Sequence, residues 1–288
     1  MSDDSRFTFR RPSLLGLWLW AGLAFLYLPI LVLIVYSFNA SKLVAVWGGF
    51  SVKWYGELLR DDQILRAAGL SLEVASISAT IAVVIGGMAG YALARFGLFR
   101  GRTTFSAMLT APLVMPEVIT GLSLLMLFVA MEQLIGWPAG RGLTTVIIAH
   151  ITFSAAYVAV VVRSRVAGLD RSLEEAAMDL GARPATVMWR ITLPMLLPGL
   201  LSGWLLAFTL SLDDLVIASF VTGPGATTLP MLIFSKVRLG VSPDINALAS
   251  LIVLIVSIGV ILSGWIILQT ERRQTREMQA AFRDSGKT

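Results

Sequence analysis

Apolar positions in this chain fall in long blocks, and polar residues are largely confined to the gaps between them. A helix needs roughly 20 apolar residues, at 1.5 Å rise each, to cross a hydrocarbon core of ~30 Å. Six blocks reach that length: residues 14–38, 71–95, 104–131, 143–162, 196–222 and 245–269. The third and fifth carry acidic residues and are weaker by hydropathy alone. Turn signals punctuate the gaps, among them Trp137-Pro138, Gly223-Pro224-Gly225 and Ser242-Pro243. Residues 229–239 suit a short helix lying at the membrane interface. Gly86 with Gly90, and Gly199 with Gly203, have the four-residue spacing that lets two helix backbones approach closely. No internal repeat is visible, which disfavours an inverted-repeat secondary transporter. The expected fold is an all-α membrane protein with six transmembrane helices, residues 1–288 forming a single transmembrane domain.

Composition points the same way. Only 14% of the 288 residues are charged and the mean hydropathy is +0.79. A soluble domain of this size needs more charge to cover its surface. The net charge of +5 does not read as a nucleic-acid footprint, because the basic residues flank the apolar blocks. Arg6, Arg10 and Arg11 precede the first block, and Arg95, Arg100 and Arg102 follow the second. Arg163, Arg165, Arg171, Arg183 and Arg190 lie between the fourth and fifth. Arg272, Arg273, Arg276, Arg283 and Lys287 follow the sixth, in a charged tail expected to be a frayed helix. The remaining gaps hold only Lys42, Lys53, Arg60, Arg66, Arg141, Lys236 and Arg238. The positive-inside rule therefore places both termini in the cytoplasm, as an even number of spans requires. The first block is too long for a secretory signal and lacks a cleavage site, so it reads as a retained span. Trp18, Trp20, Trp47, Trp54 and Trp137 sit where an aromatic belt is expected. The absence of cysteine excludes disulfides and thiolate metal sites. The lone histidine, His150, cannot build a multi-histidine site and is expected in a hydrogen-bonded packing role.

The gap at residues 163–195 is the richest in local signals. Ser172 and Glu175 have capping-box spacing, and Glu174 through Leu180 are mostly good helix formers. Gly181 suits a left-handed stop and Pro184 the first turn of a second helix. The loop is thus expected to hold a short helix, a turn and a second helix entering the fifth span. Such a helix is either a solvated connector or a rigid element that passes force to a cytoplasmic partner.

Glu175-Ala176-Ala177, Gly181, Ile191 and Leu193-Pro194 resemble, residue for residue and in spacing, the EAA motif of ABC importer permeases. The resemblance covers nearly the whole chain. Residues 111–124, Ser202-Gly203-Trp204, residues 208–214, 219–226 and 241–249 look like those of the polyamine (putrescine and spermidine) importer permeases, of the second-permease type. It implies the type I importer permease fold and location in the cell inner membrane. It also implies that the short helix, with Glu174, Glu175, Ala176, Ala177, Asp179 and Gly181, seats against an ATPase. The implied partners are a second permease subunit in a heterodimer, two ATP-binding subunits and a periplasmic polyamine-binding protein, with lipid but no nucleic acid. No GxxxxGK[ST] loop is present, so no cofactor is expected in this chain, and ATP and Mg would bind the partner ATPase.

Carboxylates at membrane depth are costly and usually face a cavity or a partner. Glu117 falls near the middle of the third block, and Asp213 and Asp214 in the outer half of the fifth. A polycation crossing a low-dielectric path needs compensating charge, and the faces of Tyr157 or Phe208 would add cation–π attraction. These five residues are the candidate pathway or gate. Neighbours on a helix point about 100° apart, so both aspartates are not expected on one surface. The structural alternative is that Glu117, after Pro116, caps a broken helix, and that Asp214 holds structure. Two other classes are an ion-coupled secondary transporter and a membrane-embedded aspartyl enzyme. The adjacency of the two aspartates disfavours the latter, which needs facing carboxylates.

Overall fold

The computed structural model describes residues 14–42, 46–240 and 243–259, together with 261 and 265. Helices dominate, and the only strand-like pairing among the described residues is an isolated bridge between Asn39 and Phe50. In chain order the helices are α1 (Leu14–Tyr36), α2 (Lys53–Leu58), α3 (Asp62–Arg95), α4 (Arg102–Val114), α5 (Glu117–Ile135) and α6 (Leu143–Ala167). They continue with α7 (Ser172–Asp179), α8 (Pro184–Val187), α9 (Leu193–Leu212), α10 (Val216–Val221), α11 (Leu229–Leu239) and α12 (Pro243–Gly259). Among the described residues, five helical stretches are long and apolar enough to span a membrane: Gly16–Tyr36, Asp62–Arg95, Glu117–Ile135, Leu143–Ala167 and Pro184–Leu212. The sixth expected block begins in α12, and most of its second half lies outside the described residues, as does the charged tail.

Three boundaries differ from the sequence reading, each for a local reason. The third block is two helices, because α4 ends at Val114 and Met115 and Pro116 are extended, with ψ of 137° at each. A residue before proline is driven out of the helical region by the proline ring. The second span starts nine residues earlier than hydropathy suggests: α3 has 34 residues, about 51 Å of helix, far more than a ~30 Å core requires. The fifth block stops at Leu212, and after Asp213–Leu215 the chain resumes as α10. At its base, α8 runs into α9 through a π turn, Met188–Thr192, in which the Leu193 N–H bonds the Met188 carbonyl. Pro194 lacks an N–H and its ring crowds the carbonyl of Arg190 four residues back, so the wider turn relieves a clash that an α-helix would keep.

The described residues divide into two compact units. In the unit Asp62–Ser235, α3, α6 and α9 pack on one another through small residues, including Ala79, Ala82, Ala155, Val158 and Ala207. A Cβ on Gly86 would strike the Ala155 carbonyl and one on Gly90 the Ala159 carbonyl, so α3 and α6 touch backbone to backbone. Gly199 meets the Arg165 side chain and Gly203 meets Val158, so both expected small-residue pairs mark real contacts. In lipid, apolar helices gain little from mere burial; close packing and hydrogen bonds hold them. Here the bonds include Ser78 Oγ to the Ile147 carbonyl (3.2 Å) and Trp204 Nε1 to Thr80 Oγ1 (3.1 Å). A second cluster around Phe128, Val146, Phe153, Ile217 and Val221 joins α5, α6 and α10.

The other unit comprises the described residues before Asp62 and from Lys236 onward. Side chains of α1 are exposed along most of its length, as a lipid-facing helix requires. The segment after it is folded around Asn39, whose side chain bonds the backbone of Val46, Gly48 and Ser41, while Trp54 Nε1 donates to the Asn39 carbonyl (2.7 Å). Lys236 reaches both Asp61 and Asp244 at 3.2 Å. Burial alone would lower the Lys236 pKa, but the bonds to Asp244 and Asp61 outweigh it and raise the group above its ordinary value.

Candidate functional site

The helix α7 is short, has no buried residue, and is fastened at both ends. At its N-terminus the expected capping box does not form. Instead Asp170 Oδ1 accepts the Ser172 N–H at 2.9 Å, while Glu175 turns outward to pair with Arg171 at 2.9 Å. An ionised carboxylate before the helix is the stronger acceptor, and Ser172 falls inside the helix rather than at its cap. The bonds from Ser172 hold the Asp170 carboxyl below its ordinary pKa of 3.8. At the other end Gly181 has a φ of +85°. Its N–H bonds the Met178 carbonyl and the Ala182 N–H reaches back to Ala177, the paired bonds of a Schellman stop. Pro184 opens α8 at its first position, as expected.

Two adjacent glutamates on α7 part company. Glu175 is exposed, with Ala176 and Asp179 also on the surface. Leu173, Ala176 and Leu180 recur at three- and four-residue spacing, and Leu180 is 90% exposed, so α7 presents an apolar stripe outward. Glu174 does not join this surface. Its side chain is only 13% exposed, and its Oε1 accepts from Arg95 Nη2 at 3.2 Å and from Thr192 Oγ1 at 2.9 Å. Of the residues expected to contact an ATPase, Glu174 is therefore turned back into the helical bundle.

The broken helices hold the second group of candidates. Glu117 is the exposed first residue of α5, after the extended Met115-Pro116, so it opens a helix at the break within the third apolar block. One turn later Gly121 lets α5 meet α10, where a Cβ would lie 2.7 Å from Phe220 Cδ2. Asp213 is exposed at the C-cap of α9. Asp214 is enclosed by donors: it accepts the first-turn N–H groups of Ile217 (3.2 Å) and Ala218 (2.7 Å) in α10 and lies 3.1 Å from His150 Nε2. His150 Nδ1 is in turn 2.6 Å from Ser211 Oγ. An ionised Asp214 only accepts, so Nε2 donates to it; in the neutral imidazole Nδ1 then receives the serine hydroxyl. Side-chain exposures of 2% for His150 and 6% for Asp214 make this an interior clamp across the α9–α10 break.

Tyr157 and Phe208 are not brought together. Tyr157 packs edge-on to Phe153 at 5.0 Å in the α5–α6–α10 cluster, and Phe208 stacks on Trp204 at 5.1 Å in the α3–α6–α9 cluster. The two rings lie in different clusters and so do not form a shared cation cage. Four contributors escaped the sequence reading: Asp170, Arg95, Thr192 and Glu73. The first three are ordinary in sequence and matter only through their partners. Glu73 was visible as a carboxylate inside the second apolar block; it lines a cavity of about 560 Å³ with Gln63, Arg66 and Thr227.

The described residues form a multi-pass helical bundle with a short surface helix, α7, between two of its apolar helices. The chain belongs to the family described as binding-protein-dependent transport system inner membrane component, which it matches over residues 82–276. It is 61% identical over 262 residues to the putrescine transport system permease protein PotI of Escherichia coli K12, covering 91% of this chain and 93% of that one. It is 42% identical over 250 residues to the spermidine/putrescine transport system permease protein PotC of the same strain, covering 87% and 92%. The fold matches a subunit of a bacterial ABC transporter that imports the acidic polysaccharide alginate, with a TM-score of 0.65, 16% identity, and coverage of 86% of this chain and 94% of that one. It also matches a chain of the inward-facing MetNI methionine ABC transporter, with a TM-score of 0.58, 19% identity, and coverage of 72% and 95%. The architecture is that of a type I ABC importer permease.

Proposed function

We propose that this chain is one permease subunit of an ATP-driven importer of putrescine, with spermidine as the related cargo. It would lie in the cell inner membrane and form half of the transmembrane pathway beside a second, different permease. The observation that carries the coupling part of this reading is α7, an eight-residue helix locked at both ends and offering Leu173, Ala176 and Leu180 to solvent between two spans. The near-full-length similarity to two polyamine permeases supports the cargo. A periplasmic binding protein would deliver the polyamine to the outer loops. Two ATPase subunits, which would hold ATP and Mg, would receive α7.

The transport cycle breaks no bond of the cargo. Nucleotide-driven movement of the ATPases displaces α7, and the attached spans change the side on which the pathway opens. Within the pathway Asp213 and Glu117 supply the exposed negative charge beside helix breaks that a dication needs in a low-dielectric route. Asp214 instead holds the α9–α10 break in shape.

Labelled-putrescine uptake into vesicles containing this chain with its partner permease, ATPase and binding protein tests the reading. Uptake is expected to require ATP, and Glu175→Arg is expected to abolish it together with ATPase co-purification. Uptake that proceeds without the ATPase would instead establish an ion-coupled carrier. ATP-driven uptake of another solute with putrescine refused would overturn the cargo alone.

A further inference from the structure

We infer that Glu174 is the residue through which movement of α7 enters the membrane helices, by way of a three-part joint with Arg95 and Thr192. This rests on the proposal that α7 docks on an ATPase, and it assigns the two glutamates opposite duties: Glu175 faces the partner and Glu174 faces the bundle.

Several observations converge on the joint. One carboxylate oxygen, Glu174 Oε1, accepts from both Arg95 Nη2 (3.2 Å) and Thr192 Oγ1 (2.9 Å). Arg95 is the last residue of α3 and its side chain is 12% exposed, so the ion pair is shielded from water and salt. Thr192 is 1% exposed and closes the π turn at the base of α9. A threonine within a helix commonly bonds its own backbone one turn back; this one spends its hydroxyl on α7. The π turn is the point at which the α8–α9 rod departs from regular α-helix, and π turns are frequent at functional sites. Arg95 Nε is buried with no hydrogen-bond partner among the described residues. The guanidinium is therefore held by this joint, with donor capacity left over for a second arrangement. The remainder of α7 is exposed or only partly buried, so Glu174 is its polar anchor to α3 and α9 at once.

A rigid helix gripped at its outer face and tied at its inner face through one side chain works as a lever. Displacing α7 pulls the end of α3 and the π turn together. The charge makes the tie strong, because hydrogen bonds to ionised groups exceed neutral ones. The joint would thus set how much transport each ATP yields, separately from whether the ATPase binds.

The test uses the complete transporter in proteoliposomes, with uptake and phosphate release measured on the same sample. For Glu174→Gln we expect the ATPase to stay bound while uptake per ATP falls about tenfold, the effect of losing one charged hydrogen bond. Thr192→Val should lower the ratio and Thr192→Ser should restore it. Arg95→Gln combined with Glu174→Gln should be little worse than either alone, as residues in one network behave. An unchanged ratio in Glu174→Gln and Thr192→Val, or strictly additive losses, would overturn the joint. The docking reading fails differently: if Glu175→Arg leaves ATPase co-purification intact, α7 is not the docking element and the lever falls with it.

Discussion

Asp213 and Asp214 are neighbours in the chain and face different surroundings. Asp213 is exposed at the end of α9, whereas Asp214 is enclosed by His150 and the first amides of α10. Stability should separate them. Replacing His150 with Ala leaves the buried Asp214 short of a donor and should cost about 2 kcal/mol, read as a lowered unfolding temperature of the purified subunit in detergent. Asp213→Asn removes charge from an exposed position and should change stability by less than about 0.5 kcal/mol while still altering uptake. Asp170 provides a pH signature. Its folded pKa is depressed by the bonds from Ser172, so its contribution is present above the unfolded value of 3.8 and is lost as pH falls through the lower folded value. The α7 cap should therefore loosen only below about pH 4, seen as faster exchange of the Ser172 amide, and Asp170→Asn should remove that dependence.

Helices here owe their ends to single residues and their pairings to the smallest ones. Gly181 adopts a φ of +85°, which a Cβ penalises, so Gly181→Ala should cost roughly 1 kcal/mol and fray α7. The readout is weaker ATPase association at unchanged expression. Gly90 meets the Ala159 carbonyl directly, so any side chain must push α3 off α6. Gly90→Val should cost about 3 kcal/mol or more, as overpacking does at a backbone contact, and should reduce the amount of folded subunit recovered from membranes. The same spacing at Gly199 and Gly203 meets side chains instead, where neighbours can yield, so Ala there should be better tolerated.

Over the whole molecule, the charge asymmetry makes a prediction about sidedness. The natural chain has no cysteine, so single cysteines can be introduced without further changes. Asp179→Cys on α7 should react with a membrane-impermeant maleimide only when the cytoplasmic face is open to it. Thr227→Cys, at the cavity beside the start of α3, should react from the opposite face. Labelling of both from one side would overturn the topology. The excess length of α3 belongs to this scale too. About 51 Å of helix is more than a ~30 Å core requires, and its first turns carry Gln63, Arg66 and Glu73 to the cavity.

The all-helical membrane class, most helix positions and the short helix between the fourth and fifth blocks were legible in the chain itself, because each rests on local physics. Apolar block length marks a span whatever it packs against, and Gly181 and Pro184 end and begin helices through their own backbones. Even the break at Met115-Pro116 had its cause written in the proline, although hydropathy averaged across it. Only the tertiary structure decided which side chains face one another. Glu175 heads the Glu-Ala-Ala string, but nothing local says which of Glu174 and Glu175 faces the bundle; a rotation of about 100° along α7 sends Glu174 to Arg95, 79 residues away, and leaves Glu175 exposed beside Arg171. Asp214 was likewise indistinguishable from Asp213 until His150, 64 residues distant, and the amides of α10 closed around it. Partnerships at that separation depend on how α3, α6 and α9 pack, and a carboxylate takes its role from the donors that packing brings within reach.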